Sequence, residues 1–327
     1  MRHPDSTGVL PITDNSLPDS LRPDDLSARA EIVCGKLIAA IDRGYARMLA
    51  SHPIEDYIAA LDEAPAYSRY RTVSPSAANI CDSIRKQWGY GGLEHYHRLS
   101  VAYLAAKFSG RVAFQAMPVR VRQCCIQALQ RILGIAENGR PGYFDHANDL
   151  FAKDLAVCRG KLIPCGAELV DWQAGLPRRV LLGHGLPQFI HGARYISLKL
   201  HGFKPLYESH WDRRLITDFN ADGYRRFYLN VAELLRTSPE VKGYMACGWW
   251  FDPALSAISP DLDFIGKIPL ENGAILLATS TEESAVQDAI RMSRQRTELY
   301  KAGKYQPVNY VMLWSRADLL AWHQTAG

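Results

Sequence analysis

Asn220–Leu235 reads NADGYRRFYLNVAELL, and Gly243–Trp250, a short turn later, reads GYMACGWW. In the first run Tyr224, Phe227, Tyr228, Val231, Leu234 and Leu235 recur at helical steps. That spacing gathers them on one face of an α-helix, and Asn220 or Asp222 supplies the cap. The second run is short, largely apolar and closed by the Asp252–Pro253 turn. It predicts a strand. A helix delivering the chain into a strand is the repeating unit of α/β and α+β folds.

Outward from this pair the pattern stays mixed. Tyr195, Ser197 and Lys199 alternate within Arg194–Leu200, which predicts a strand before the helix. Ala274–Ala278 is apolar throughout and reads as a strand covered on both faces. Ser280 or Thr281, with Glu283 following, predicts a helix reaching about Ala302. Val308–Trp314 reads as a closing strand and Ala317–His323 as a short helix. Shorter β-like runs are Leu155–Cys158, Lys161–Ile163, Glu168–Asp171 and Arg179–Leu182.

The first half reads as helical. Ile32, Val33, Leu37, Ile41, Tyr45, Met48 and Leu49 follow the helical period. Ile54–Leu61 predicts a second helix. Ser74 and Pro75 mark the N-cap and first position of a third, and Gly89, Gly91 and Gly92 break it. Glu94–Phe108 and a stretch from Pro118 to Leu133, ended by Gly134, complete the set. The expected fold class is α+β, with an α/β-like C-terminal half. A helical region at 25–150 packs on a mixed sheet in an α/β domain at 151–327. Residues 1–24, rich in Pro, Asp and Ser, are expected to form a flexible tail.

Composition narrows the function classes. Of 327 residues, 47% are hydrophobic and 22% charged, which excludes a disordered chain, a coiled coil and a collagen-like fibre. The net charge of +4, from 38 basic and 34 acidic residues, lacks the basic footprint of nucleic-acid binding. A small-molecule substrate is the expected partner. Met1–Leu21 lacks the apolar segment of a signal peptide, and no apolar run is long enough for a membrane span. The cysteine count is seven, odd and without a CxxC pair. That argues against a disulfide framework or a thiolate zinc site and fits a reducing cytoplasm.

His201–Arg214, HGFKPLYESHWDRR, is the densest cluster of chemistry-bearing residues. His210 and Asp212 stand two apart, so on a strand they share a face. His210 or His201 is the candidate general base, with Asp212 orienting it. Arg213 and Arg214 are candidates for binding substrate. The same His201, His210 and Asp212 would serve as ligands in a metal-dependent enzyme of the non-haem iron or zinc type. The His-x-Asp spacing resembles that of iron(II)/2-oxoglutarate oxygenases. Their distal histidine and following arginine are missing, since His323 is the only later histidine and no arginine follows it. Trp249, Trp250, Asp252 and Cys247 are candidate substrate-binding residues, because adjacent strand residues face opposite sides and one tryptophan would line a pocket. A non-catalytic binding protein, with the aromatic strand as a ligand cradle, is the third reading.

From Arg194 to Ala278 the order is strand, polar turn, long helix, strand ending in a Pro turn, short segment, strand. With the run GYMACGWWFDPALSAISPDLDFIGKIP, this resembles the second half of the GNAT superfamily of N-acetyltransferases. Acyl-homoserine-lactone-synthase-like and N-acyl-amino-acid-synthase-like relatives belong to that superfamily. The resemblance implies an N-acyltransferase that moves an acyl group from acyl-CoA or an acyl carrier thioester to an amine. An acyl carrier protein is then an implied partner. The family's glycine-rich pyrophosphate loop is reduced here to Gly223 in RRLITDFNADGYRR, so the implied donor extends to a carrier-bound or longer acyl group.

Overall fold

The computed structural model describes residues 23–65, 67–280, 283–291 and 293–326. The tail expected at residues 1–24 lies outside them as far as Arg22, and Pro23 already opens a helix. Among the described residues seven helices come first: α1 (Pro23–Ala39), α2 (Arg43–Ser51), α3 (Ile54–Asp62), α4 (Pro75–Phe108), α5 (Val112–Gln115), α6 (Val119–Asn138) and α7 (Asp149–Arg159). Ser74 caps α4 as its sequence predicts, accepting from the Ala77 amide at 3.0 Å.

The glycines after Trp88 do not end that helix. They bend it: Gly89 takes φ 69° and ψ −171°, a conformation open essentially to glycine alone, and the helix resumes beyond it. Nor does Gly134 stop α6, which runs on to Asn138 and ends at Gly139 with φ 73°.

Six strands form one mixed sheet: β1 (Leu162–Pro164), β2 (Glu168–Ala174), β3 (Leu206–Trp211), β4 (Gly243–Gly248), β5 (Ile275–Ser280) and β6 (Asn309–Ser315), in the order β1-β2-β3-β4-β6-β5. All neighbours are antiparallel except β3 and β4. The remaining helices are α8 (Gly185–Tyr195), α9 (Ala221–Thr237), α10 (Leu255–Ile258), α11 (Phe264–Glu271), α12 (Glu283–Arg291), α13 (Arg294–Lys301) and α14 (Arg316–Ala326). The fold class is α+β.

Several expected strands are something else. Arg194–Leu200 ends α8 and continues as a π turn over Ile196–Leu200. Its buried residues are Tyr195, Ile196 and Leu200, a helical spacing, while Ser197, Leu198 and Lys199 are exposed. Tyr195 anchors it, donating to the Gly273 carbonyl and accepting from the Ser315 amide. The strand that precedes α9 is therefore β3. Leu155–Cys158 belongs to α7, which is buried on all sides, so its unbroken apolar run does not distinguish helix from strand. Arg179–Leu182 falls in a 3-10 turn at Arg178–Leu181. The helix expected to reach Ala302 is two helices, α12 and α13, the second capped by Ser293. Thr281, one of its candidate caps, lies outside the described residues.

Two apolar layers cover the sheet. On one face Tyr207, Tyr244, Ala246, Met312 and Trp314 join a core that runs through α9 into the N-terminal helices. On the other, Leu206, Met245, Leu277, Val311 and Leu313 pack with Leu181, Tyr195 and Leu200. Among the described residues no helix is long and apolar enough to cross a membrane.

Candidate active site

β3 and β4 pair only at Tyr207–Tyr244 and Glu208–Met245. Beyond that point β3 stays with β2, His210 facing Leu169, and β4 stays with β6, Cys247 facing Val311. The two parallel strands thus part into a wedge. The α9 side of the wedge is filled. Ser209 Oγ and Tyr244 Oη lie 2.7 Å apart, and Tyr224 Oη donates to Glu168 at 2.5 Å.

The opposite side is open. A cavity of about 390 Å³ there is lined by Arg69, Glu208, Met245, Cys247, Thr279 and Asn309, among others. That volume falls at the lower end of small-ligand sites. β3 explains which side chains reach it. Leu206, Glu208 and His210 point to one face of the strand, Tyr207 and Ser209 to the other.

Glu208 sits opposite Asp171 of β2. Burial, and next the Asp171 charge, push the Glu208 carboxyl up to about 7, against the pull of the Arg69 guanidinium. A carboxyl group poised there gives and takes a proton at neutral pH. Burial and the Glu208 charge likewise push the Cys247 thiol up to about 11, although that residue opens to the cavity. A thiol held so high is a poor nucleophile at neutral pH.

The residues singled out from sequence do not converge. His201 is exposed, takes a left-handed backbone conformation, and offers its carbonyl to Lys242 Nζ at 2.6 Å. His210 lies on the Glu208 face of β3, its ring 4.8 Å from that of Tyr70. Burial and then the Lys153 charge drive its imidazole down to about 3, and its Nε2 has no partner among the described residues. Asp212 does not orient it. That carboxylate is gripped by Arg214, whose guanidinium also reaches Asp154 and the Tyr143 hydroxyl. His201, His210 and Asp212 accordingly form neither a base–orienter pair nor a ligand set. Arg214 is a structural clamp, and Arg213 is exposed beside it.

Strand β4 ends at Gly248, and the tryptophans follow on a 3-10 turn at Trp249–Phe251. Trp249 lies beneath the Arg296 guanidinium, 4.7 Å from its ring centroid. Trp250 and Asp252 line a second cavity, of about 420 Å³, with Leu262, Gly266 and Leu276. Asp252 is largely committed to backbone, accepting from the Ala254 and Val308 amides. Of the proposed binding residues, Cys247 alone lines the wedge. Gly223, the glycine left in the turn before α9, serves packing. A Cβ there would stand 2.0 Å from the Asp218 carbonyl oxygen.

The sequence reading missed Glu208 as the titrating group and Arg69 as its counter-charge. The available signal was the alternation Leu206, Glu208, His210. Once that segment is a strand, the glutamate and the histidine share a face. A metal has a different candidate place. Among the described residues, the one group of three His, Cys, Asp or Glu ligand atoms within mutual reach is Cys81, His97 and His146. Comparison with protein families, curated proteins and solved structures gives no match to this chain.

Proposed function

We propose that this chain is an N-acyltransferase that takes an acyl group from a thioester donor, acyl-CoA or a carrier-bound acyl group, and transfers it to an amine in the wedge between β3 and β4. The observation that carries this reading is Glu208, a carboxyl group held near neutrality at the point where the parallel strands part. The strand that carried the GNAT resemblance, Arg194–Leu200, is helical, and β3 stands in its place before α9. β3, α9 and β4 follow in sequence, β3 and β4 are parallel, and β6 lies antiparallel between β4 and β5.

Each part of the wedge has a role in such a reaction. Among the described residues, backbone groups on the β3-facing edge of β4, from Ala246 to Gly248, lack a neighbouring strand. Buried main-chain groups need partners, and an extended donor arm carrying amides supplies them as an added strand would. Arg69 and Arg179 at the cavity suit the phosphate that such arms carry. The acceptor amine attacks the thioester carbonyl carbon. As the C–N bond forms, Glu208 takes a proton from nitrogen. The C–S bond breaks, and the departing thiolate takes up a proton from solvent. Glu208 then releases its proton and resets. His210, packed against Tyr70 rather than lining the cavity, takes no part. A cytoplasmic setting fits the free cysteines.

Purified protein, assayed for thiol release with CoA-bound and carrier-bound acyl donors and a panel of amines, tests the reading. Turnover should fall about 10²- to 10⁴-fold in Glu208→Gln, the usual contribution of a positioned general base. His201→Ala should leave it unchanged. Absence of turnover with every thioester, or full activity in Glu208→Gln, would overturn it.

A further inference from the structure

We infer that Cys81, His97 and His146, with the Tyr57 hydroxyl beside them, form a buried site for one zinc(II) ion in the helical layer. The site is independent of the acyl-transfer reading, since none of these residues lines the wedge.

Cys81 Sγ and His97 Nε2 stand 3.5 Å apart. A tetrahedral zinc holds sulfur at about 2.3 Å and nitrogen at about 2.0 Å, which puts the two donor atoms about 3.5 Å from each other. The His97 ring is also oriented for it. Its Nδ1 lies 2.8 Å from the Phe144 carbonyl oxygen, which only accepts, so Nδ1 carries the proton. The Nε2 lone pair is thereby aimed at Cys81. A carbonyl holding the far nitrogen of an imidazole is the usual outer support of a histidine ligand. All three ligand atoms lie within 4.8 Å of one another, so a modest closure of the His146 side brings a third donor in. Tyr57 Oη, 2.7 Å from His146 Nε2, is an oxygen at hand as the fourth donor.

Charge and chemistry agree with zinc. One thiolate and two neutral imidazoles form a borderline-soft donor set. The Asp145 carboxylate, next to His146, offsets part of the remaining charge of the ion. Placement also gives the ion something to do. Cys81 precedes the Gly89 bend in α4 and His97 follows it, while His146 comes from the loop before α7 and Tyr57 from α3. One ion would therefore tie the two halves of a bent helix to α3 and to the loop before α7.

A metal-free S–H to nitrogen hydrogen bond accounts for the same 3.5 Å separation, and the experiment separates the two. The full chain is prepared from zinc-supplemented cells and its metal content measured, and the metal is then exchanged for cobalt(II). The expected result is about one zinc per chain. The cobalt protein should show intense visible bands of a tetrahedral site and a thiolate charge-transfer band. Cys81→Ser should lose that band and Cys247→Ser should keep it. Chelation should lower Tm, because an ion bound only to the folded state stabilises it. A metal-free protein in which added zinc leaves Tm unmoved and added cobalt gives no thiolate band would overturn the proposal. If Cys81→Ser does not fold, the cobalt spectrum of the unaltered chain still decides.

Discussion

Glu208 and His210 share one face of β3, yet burial moves them in opposite directions. Desolvation penalises the charged form, so the glutamate rises to about 7 and the histidine falls to about 3. At neutral pH the histidine is a weak base and the glutamate a poised one, which reverses the choice that residue type suggests. Under the proposed mechanism kcat/KM should rise with pH through a midpoint near 7, and Glu208→Gln should abolish that limb. Stability should respond the other way. The folded-state value lies above the unfolded one, so the protonated carboxyl is favoured in the fold. Its contribution is whole below about 4.5 and is lost as pH rises through about 7. Glu208→Gln should therefore raise the unfolding free energy at pH 8, read by urea denaturation, by on the order of 1–3 kcal/mol, and leave it unchanged at pH 4. Equal effects at both pH values would mean the carboxyl is not perturbed by its surroundings. None of this was readable from Leu206–Trp211 alone. The perturbing groups, Asp171 and Arg69, lie far away in sequence.

Local elements were legible where one strong pattern dominates. The Asn220 cap and aromatic face of α9, the Ser74 cap of α4 and the apolar run of β5 all carry their own signal. Arg194–Leu200 was not legible, because alternating Tyr195, Ser197 and Lys199 mimic a strand. What fixes it as helix is burial of Tyr195, Ile196 and Leu200 against β5 and β6 residues such as Leu277, Val311 and Leu313, which sequence does not show. The paired arginines after β3 make the same point with an energetic consequence. Arg213 is exposed, whereas Arg214 bridges Asp212 and Asp154, both almost wholly buried. Removing one partner of a buried ion pair strands the other charge, at a typical cost of about 3–5 kcal/mol. Arg214→Met should lower stability by about that amount, eased slightly because Arg131 still reaches Asp154. Arg213→Met should stay within about 0.5 kcal/mol, as exposed substitutions do. Urea denaturation of both variants checks the contrast, and similar midpoints would show that the network around Asp154 carries little.

At the scale of the molecule, the wedge draws on every part of the chain. Arg69 comes from the loop after α3, Glu208 and Cys247 from the central strands, and Thr279 and Asn309 from the antiparallel pair β5 and β6. A ligand seated there contacts the helical layer and the sheet together, so its binding energy is added to the stability of the whole fold. An inert thioether analogue of an acyl-CoA, present at about 100 times its Kd, should stabilise the protein by about 2.7 kcal/mol and raise Tm accordingly. Cys247 gives an independent readout at the same place. Its thiol opens to the cavity but is held up to about 11, so alkylation without ligand should be slow at neutral pH and accelerate as pH climbs toward that value. The analogue should block it, because a chain lying along β4 covers the sulfur. The buried cysteines Cys125, Cys158 and Cys165 should stay unmodified with or without ligand. Mass spectrometry after a timed alkylation at pH 9 distinguishes the outcomes. Protection of Cys247 together with a higher Tm locates the donor in the wedge. A higher Tm with Cys247 still reacting at its free rate would place the donor elsewhere, and the cavity lined by Trp250 and Leu276 would then be the first alternative.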